Sequence, residues 1–307
     1  MTTDEQLLHE LRPTAFGIAY RMLGSVAEAE DVVQEALLTL HRVLADGERI
    51  ESPRAFVATV TTRLAIDTLR SARVRRERYF GEWLPEPLLT DGSGDPALEV
   101  ETADSVSIAM LVLLESLSPE QRAALLLRDV FDYGYGEIAQ VVGKSEDNAR
   151  QLVSRARRQL EERSPRFETS PERCDELARR FFAAVNEGDL AGLEALLADD
   201  VVLTGDGGGK VPALARPVGG RSRVARALRS WVRLGARIPG ASIRPAGVNG
   251  GPGALLLDGD QRVIAVWALE IEGDRVQRIS SIINPDKLGH LGTLADVTAL
   301  LHQAAGR

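Results

Sequence analysis

The chain has 307 residues, of which 44% are hydrophobic and 27% charged, with a formal net charge of −8. That length suits two or three domains. No apolar run approaches the ~20 residues that cross a bilayer, and Met1 to Leu11 holds acids but no apolar leader segment. A lone cysteine, Cys174, rules out an internal disulfide and a cysteine-rich zinc site, leaving the role of a partly buried small apolar residue. A cytoplasmic protein is expected, with no membrane partner, no metal and no cofactor.

Negative net charge counts against nucleic acid until its distribution is read. Residues 1–165 carry 19 basic and 28 acidic side chains, and residues 166–307 carry 18 and 17. Yet Arg54 to Arg78 holds seven arginines against Asp67 and Glu77, and Arg150 to Arg158 holds four arginines and no acid. Two cationic segments between acidic ones fit a protein that meets both DNA and a protein partner. An ordinary solvated surface looks the same, so charge alone decides little.

Taken in chain order, the first 78 residues read as helices. Val26, Ala29, Val32, Val33, Ala36, Leu37 and Leu40 recur at helical spacing, with Glu28, Asp31 and Glu35 on other faces. Ser52-Pro53 starts a further helix. Its inward side chains are Phe56, Val60 and Leu64, and its outward ones Arg63, Asp67 and Arg70. Residues ~79–105 read as a linker, because Trp83-Leu84-Pro85-Glu86-Pro87 cannot be regular helix. Ser118-Pro119-Glu120-Gln121 opens the next helical group. Glu137 to Val142 is a short helix, Gly143 a tight turn, and Ser145 the cap of a polar-faced basic helix. After a break at Ser164–Pro171 the expectation is two helices (Arg173 to Asn186, Asp189 to Ala198) and a short strand at Val201–Thr204. A helix from Gly220 to Leu234 follows, then strands at Ala254–Leu257, Val263–Ile271 and Val276–Ile283, and a terminal helix at Leu291–Gln303.

Short helix, glycine turn and basic helix make a helix-turn-helix, whose second helix enters the major groove. Asn148, Arg150 and Gln151 are chemically able to read purine edges. Arg155, Arg157 and Arg158 suit phosphates, which position without specifying. A solvated helical hairpin is the plain alternative.

The run Tyr135-Gly136-Glu137-Ile138-Ala139, Gly143, Ser145 and Ala149 to Arg157 resembles the −35-reading module of extracytoplasmic-function sigma factors. Ala19 to Ser25 followed by Ala29 to Glu35 resembles the helix with which that family grips the polymerase β′ clamp. Ser52 to Phe56 and Arg63 to Asp67 resemble its −10 module. The resemblance implies core-polymerase contact (β′ and β subunits) through Glu28, Asp31 and Glu35. It implies −10 contact through Arg54, Arg63, Asp67, Arg70 and Arg73, with the loop Asp46–Arg54 cupping an extruded base. It implies −35 contact through Lys144, Asn148, Arg150, Gln151, Ser154, Arg155 and Arg158. Aspartate at 67 departs from relatives that carry a neutral amide and favours a donor-rich base edge.

The helices-then-sheet order of the last part resembles the SnoaL-like, nuclear-transport-factor-2-like cone fold. A sigma subgroup with such a fused domain carries three short signatures, all present: Trp83 to Pro87, Asp206-Gly207-Gly208-Gly209-Lys210, and Asn284-Pro285-Asp286-Lys287-Leu288. The resemblance implies regulatory contact among Trp83, Pro85, residues 206–210 and residues 284–287. Asp206–Lys210 lacks phosphate-loop spacing, and its glycines permit close approach by another segment. No histidine falls within 166–283, so Trp231, Trp267 and Leu269 read as core or pocket wall, and catalysis is not expected. A small-molecule ligand in this domain stays open.

The expected architecture is multidomain. Two all-α modules, 1–80 and 106–164, flank a linker at 81–105; an α+β cone domain at 172–288 and a helical tail at 289–307 follow. The reading is a promoter-directing sigma factor modulated by its tail. A one-component ligand-sensing regulator and a SnoaL-like isomerase or cyclase fused to a DNA-binding unit are the alternatives.

Overall fold

The computed structural model describes residues 3–76, 79–90, 106–161 and 169–305. The chain divides into two compact units. One comprises 1–78, 95–106 and 110–164; the other comprises 79–94, 107–109 and 165–307. No helix among the described residues is long and apolar enough to cross a membrane.

In the first unit, α1 (Thr3–Leu23), α2 (Val26–Ala45) and α3 (Pro53–Arg76) pack together. Gly24 turns the chain at φ +65°, and Ser25 caps α2 by accepting from Glu28 N at 3.2 Å. The stripe read from sequence is buried at Val26, Ala29, Val32, Val33, Ala36 and Leu40, while Leu37 is half-buried. Ile108–Leu114 (α4) opens the second helical group. Pro119–Asp129 (α5) begins at a capping box in which Ser118 accepts from Gln121 N and Gln121 accepts from Ser118 N. Tyr135–Val142 (α6) ends at Gly143, which takes the left-handed φ +65° of a helix C-cap. Ser145 then accepts from Asn148 N at 3.3 Å and starts Glu146–Glu161 (α7). Arg122 is 2% exposed; it donates to Leu114 O at 2.9 Å and Met22 O at 2.6 Å, and pairs with Glu115 at 3.0 Å. It ties α5 to the end of α1.

The second unit builds a cone. Pro171–Glu187 (α8) and Leu190–Leu196 (α9) precede β1 (Leu197–Asp206) and β2 (Val218–Gly219). Arg221–Gly235 (α10) follows, then β3 (Ser242–Val248), β4 (Gly251–Leu257), β5 (Val263–Glu272) and β6 (Arg275–Ile282). The sheet order is β2-β1-β6-β5-β4-β3, with β1 parallel to β6 and the other pairs antiparallel. Register shifts in β1, β4 and β5 bend the sheet over a core that includes Phe181, Leu203, Leu228 and Trp267.

Two expectations are corrected and one strand is added. Residues 197–198, read as helix end, start a ten-residue β1, because pairing with β6 outweighs local preference. The structure adds β3, a strand in which Pro245 and Gly247 interrupt the apolar pattern. An edge strand tolerates both. The tail is not helical from Leu291: two 3₁₀ turns, Pro285–Lys287 and Gly289–Leu291, come first, and α11 spans Val297–Ala305. Ala295 N donates to Val263 O and Thr293 O accepts from Val263 N, so this stretch is held as an extended bridge.

Candidate functional site: a linker clamp and a helix-turn-helix

Asp206 ends β1 fully buried and carries a charge, which burial makes expensive unless every lone pair is used. They are used. Oδ1 accepts from the Tyr79 hydroxyl at 2.5 Å and Gly208 N at 3.0 Å. Oδ2 accepts from Leu84 N at 2.8 Å and Lys287 Nζ at 2.7 Å. Lys287 is 5% exposed; its Nζ also donates to Leu84 O and lies 4.2 Å from the Trp83 ring centroid and 4.9 Å from that of Tyr79. Asn284 Nδ2 donates to the Tyr79 oxygen at 2.8 Å. Burial, then the bond to Asp206, pushes the Tyr79 phenol above its ordinary range.

The glycines have specific reasons. Gly208 sits at φ +61°, and a Cβ there would lie 2.3 Å from Asn284 Nδ2. A Cβ on Gly207 would lie 2.4 Å from Val211 O, and one on Gly209 3.1 Å from the Phe80 side chain. Lys210 pairs with Asp286 at 2.6 Å, exposed on both sides. Pro85 is buried and Pro285 half-buried at the edge of the same cluster.

The three signatures therefore meet, and the linker is docked rather than free along 79–90. Leu88 N donates to Asn249 Oδ1 at 2.9 Å, and Asn249 N donates to Leu88 O at 2.8 Å. Leu89 bridges Val248, Thr90 N donates to Gly247 O, and His290 Nε2 lies 2.7 Å from Pro87 O. Tyr79, Asn249 and His290 were not singled out from the sequence. Asn249-Gly250 was findable, because both take positive φ (51° and 70°) and make the two-residue hairpin turn that an Asn-Gly pair signals.

Beside the clamp lies a cavity of about 690 Å³. Trp231 and Trp267, with ring centroids 5.9 Å apart, form part of its wall, with Leu256, Ala265 and Leu300. Its side-chain polarity comes from Asn186, Ser242, Ser281 and the two indoles; among the described residues no acid, base or histidine lines it. Gly205 and Ser281, which are register partners in β1 and β6, belong to this wall and directly precede the clamp.

In the first unit, Lys144, Asn148, Arg150, Gln151, Ser154, Arg155 and Arg158 are all exposed on or just before α7, while Ala149, Val153, Ala156 and Leu160 are buried. Arg150 pairs with Glu146 and lies 4.5 Å from the Tyr135 ring centroid. Arg157 forks onto Asp129 at 2.5 and 3.1 Å. On α3, Arg63 donates to Gln140 O at 2.7 Å and Val141 O at 3.2 Å, at the last turn of α6. Arg70 bonds Glu120 at 2.6 Å and Asp67 at 3.1 Å. Arg54 is exposed; the Arg73 side chain lies outside the described residues. On α2, Asp31 and Glu35 are exposed and Glu28 is half-buried, with Glu35 3.5 Å from Arg42.

A helical bundle, a helix-turn-helix and a cone domain that clasps the linker define a transcription factor of the sigma-70 class. Residues 7–75 match the family model Sigma-70 region 2, residues 107–160 match Sigma-70, region 4, and residues 178–283 match the SnoaL-like domain. The chain belongs to the extracytoplasmic-function (ECF) sigma factors and is an alternative sigma factor with a fused SnoaL-like domain. It is 40% identical over 286 residues to ECF RNA polymerase sigma factor SigJ of Mycobacterium tuberculosis, covering 90% of each chain. It is 32% identical over 283 residues to a protein of the same species named as a probable ECF RNA polymerase sigma factor, SigI, covering 89% of this chain and 91% of that one. A crystal structure of the Mycobacterium tuberculosis SigJ superposes with a TM-score of 0.77 at 37% identity, covering 93% of this chain and 98% of that one.

Proposed function

We propose that the cone domain sets how far the two sigma modules can separate, by holding the linker that joins them. The Asp206–Lys287 pair closed over Tyr79, Trp83 and Leu84 carries this reading. With 79–90 docked, roughly half of the linker is unavailable as tether, which caps the maximum reach between the modules. Release lengthens the reach between the modules. The factor acts in the cytoplasm, with core polymerase β′ and β subunits and promoter DNA as partners.

Within that reading, Glu28, Asp31 and Glu35 face polymerase. Arg54, Arg63, Asp67, Arg70 and Arg73 serve the −10 element, and Lys144, Asn148, Arg150, Gln151, Ser154, Arg155 and Arg158 serve the −35 element. Arg63 and Arg70 must leave their partners in α6 and α5 to reach DNA, so the free chain is closed and core polymerase opens it. Run-off transcription with purified core polymerase tests the assignment. Gln151→Ala with Arg155→Ala should lower promoter-specific transcript at least about tenfold, from one lost base contact of 1–3 kcal/mol and one lost phosphate contact. Core binding should be unchanged. Full promoter selectivity in that variant would remove the −35 assignment.

The cavity is proposed as a binding rather than a catalytic site, because its wall offers no group to move a proton. Its size and wall suit a neutral, largely apolar small molecule. Nile red, a neutral probe, should bind the full chain saturably at one site. Ala265→Phe, which fills the wall, and Trp231→Ala, which removes half of the indole pair, should each weaken it at least tenfold. Binding that ignores both substitutions would place the probe elsewhere.

A further inference from the structure

From Gly207 to Leu257 the sequence has nine lysines and arginines and no aspartate or glutamate, inside a chain of net charge −8. Most of that charge lies on or beside α10. Its inner face is anchored by buried Val224, Ala225 and Leu228. Arg223, Arg226 and Arg233 are exposed on the other side, with Arg229 half-buried beside them. Among the described residues none of these four has an acidic partner. At the start of the same helix Arg221 pairs with Asp199 at 2.9 Å, and elsewhere in the domain Arg173, Arg262 and Arg278 each pair with an acid. A merely solvated face of this domain would be expected to show the same mixture of signs. Arg179, Arg180, Arg216 and Arg244 are also exposed without an acidic partner among the described residues, but α10 carries four unpaired cations on one helix.

We propose that the outer face of α10 binds the phosphate backbone of duplex DNA, giving the cone domain a sequence-independent hold on the template. Arg223 to Arg233 spans ~15 Å at 1.5 Å per residue, the axial length of about four phosphates along one strand. Guanidinium forks suit phosphate oxygens in a way that ammonium groups do not. Ordering is limited: Arg226 Nε already donates to Ser222 O at 3.1 Å, and the helix beneath is fixed by its core. The face carries no base-reading amide; Ser222 and Ser230 are its other polar groups, so it positions rather than specifies.

The test uses the full-length protein and a fluorescent non-promoter duplex, with affinity measured by anisotropy across a salt series. Replacing Arg223, Arg226 and Arg233 together with glutamine should flatten the slope of log affinity against log salt by about 2 to 3, since each phosphate contact contributes about 0.9. Affinity at low salt should fall at least tenfold, equally for promoter and scrambled sequences. Arg→Lys at the same three positions keeps the charge and should retain most of the slope. Circular dichroism and melting should match the parent, because all three side chains are exposed. An unchanged slope would overturn the proposal. So would unchanged DNA binding with weakened binding to core polymerase, which would assign the face to an acidic protein surface.

Discussion

Replacing Lys287 with alanine is expected to destabilise the cone domain by about 3 to 5 kcal/mol, because it strands the buried Asp206 carboxylate without its cation. For a unit of this size that corresponds to a fall in melting temperature of roughly 6–20 °C. Leu84 O and the faces of Trp83 and Tyr79 lose the same cation. The linker should therefore come free before the rest of the domain melts. Proteolysis within 79–90 should become fast at temperatures where the cone domain is still folded. Run-off transcription at sub-saturating core polymerase should rise severalfold. Removing both charges, with Asp206→Asn and Lys287→Met, should recover part of the stability, since a buried pair costs most when only one partner is left. It should not restore the hold on the linker, because the Lys287 bond to Leu84 O is still missing. Unchanged linker protection in Lys287→Ala would sink the clamp, and reduced transcription would mean that the docked linker is the active form.

The second large effect is expected at Arg122. This guanidinium is buried between α1 and α5 and satisfies Leu114 O, Met22 O and Glu115 at once. Arg122→Met keeps much of the apolar stem and removes the fork. It should cost about 3 kcal/mol in denaturant unfolding of the first unit, since buried carbonyls lose a charged donor. Arg122→Lys should recover little, because one ammonium on a shorter reach cannot serve three acceptors placed around a planar fork. The two substitutions separate cleanly: Lys287→Ala acts on the linker and cone, and Arg122→Met on the helical unit. A wild-type unfolding midpoint in Arg122→Met would show that the α1–α5 tie is dispensable.

The helical unit was legible because its signals are local. Ser25, Ser118, Ser145 and Gly143 each act within four residues of where they stand, and the α2 stripe is a period in the chain. The same reading gave Arg122 no role, since its three acceptors come from 7, 8 and 100 residues away. Arg150 and Arg157 were read as outward cations. The fold adds Glu146 and Tyr135 to the first and Asp129 to the second. The acid-free run that ends in Leu257 is masked in the sequence by a half-chain charge balance near zero.

The resemblance to a sigma factor with an extra domain was legible because it rests on contiguous words of the chain, and helix caps and helical periods are equally short-range. The resemblance also implied contact among its three signatures. How they meet is set by strand pairing. Asp206 ends β1, Asn284 follows β6, and the parallel pairing of those strands puts both beside Lys287. The linker completes the site from more than 120 positions away, with Tyr79 and Leu84 donating to Asp206. A buried carboxylate needs compensating donors, Asp206 receives four, and their convergence from such distances is a property of the fold.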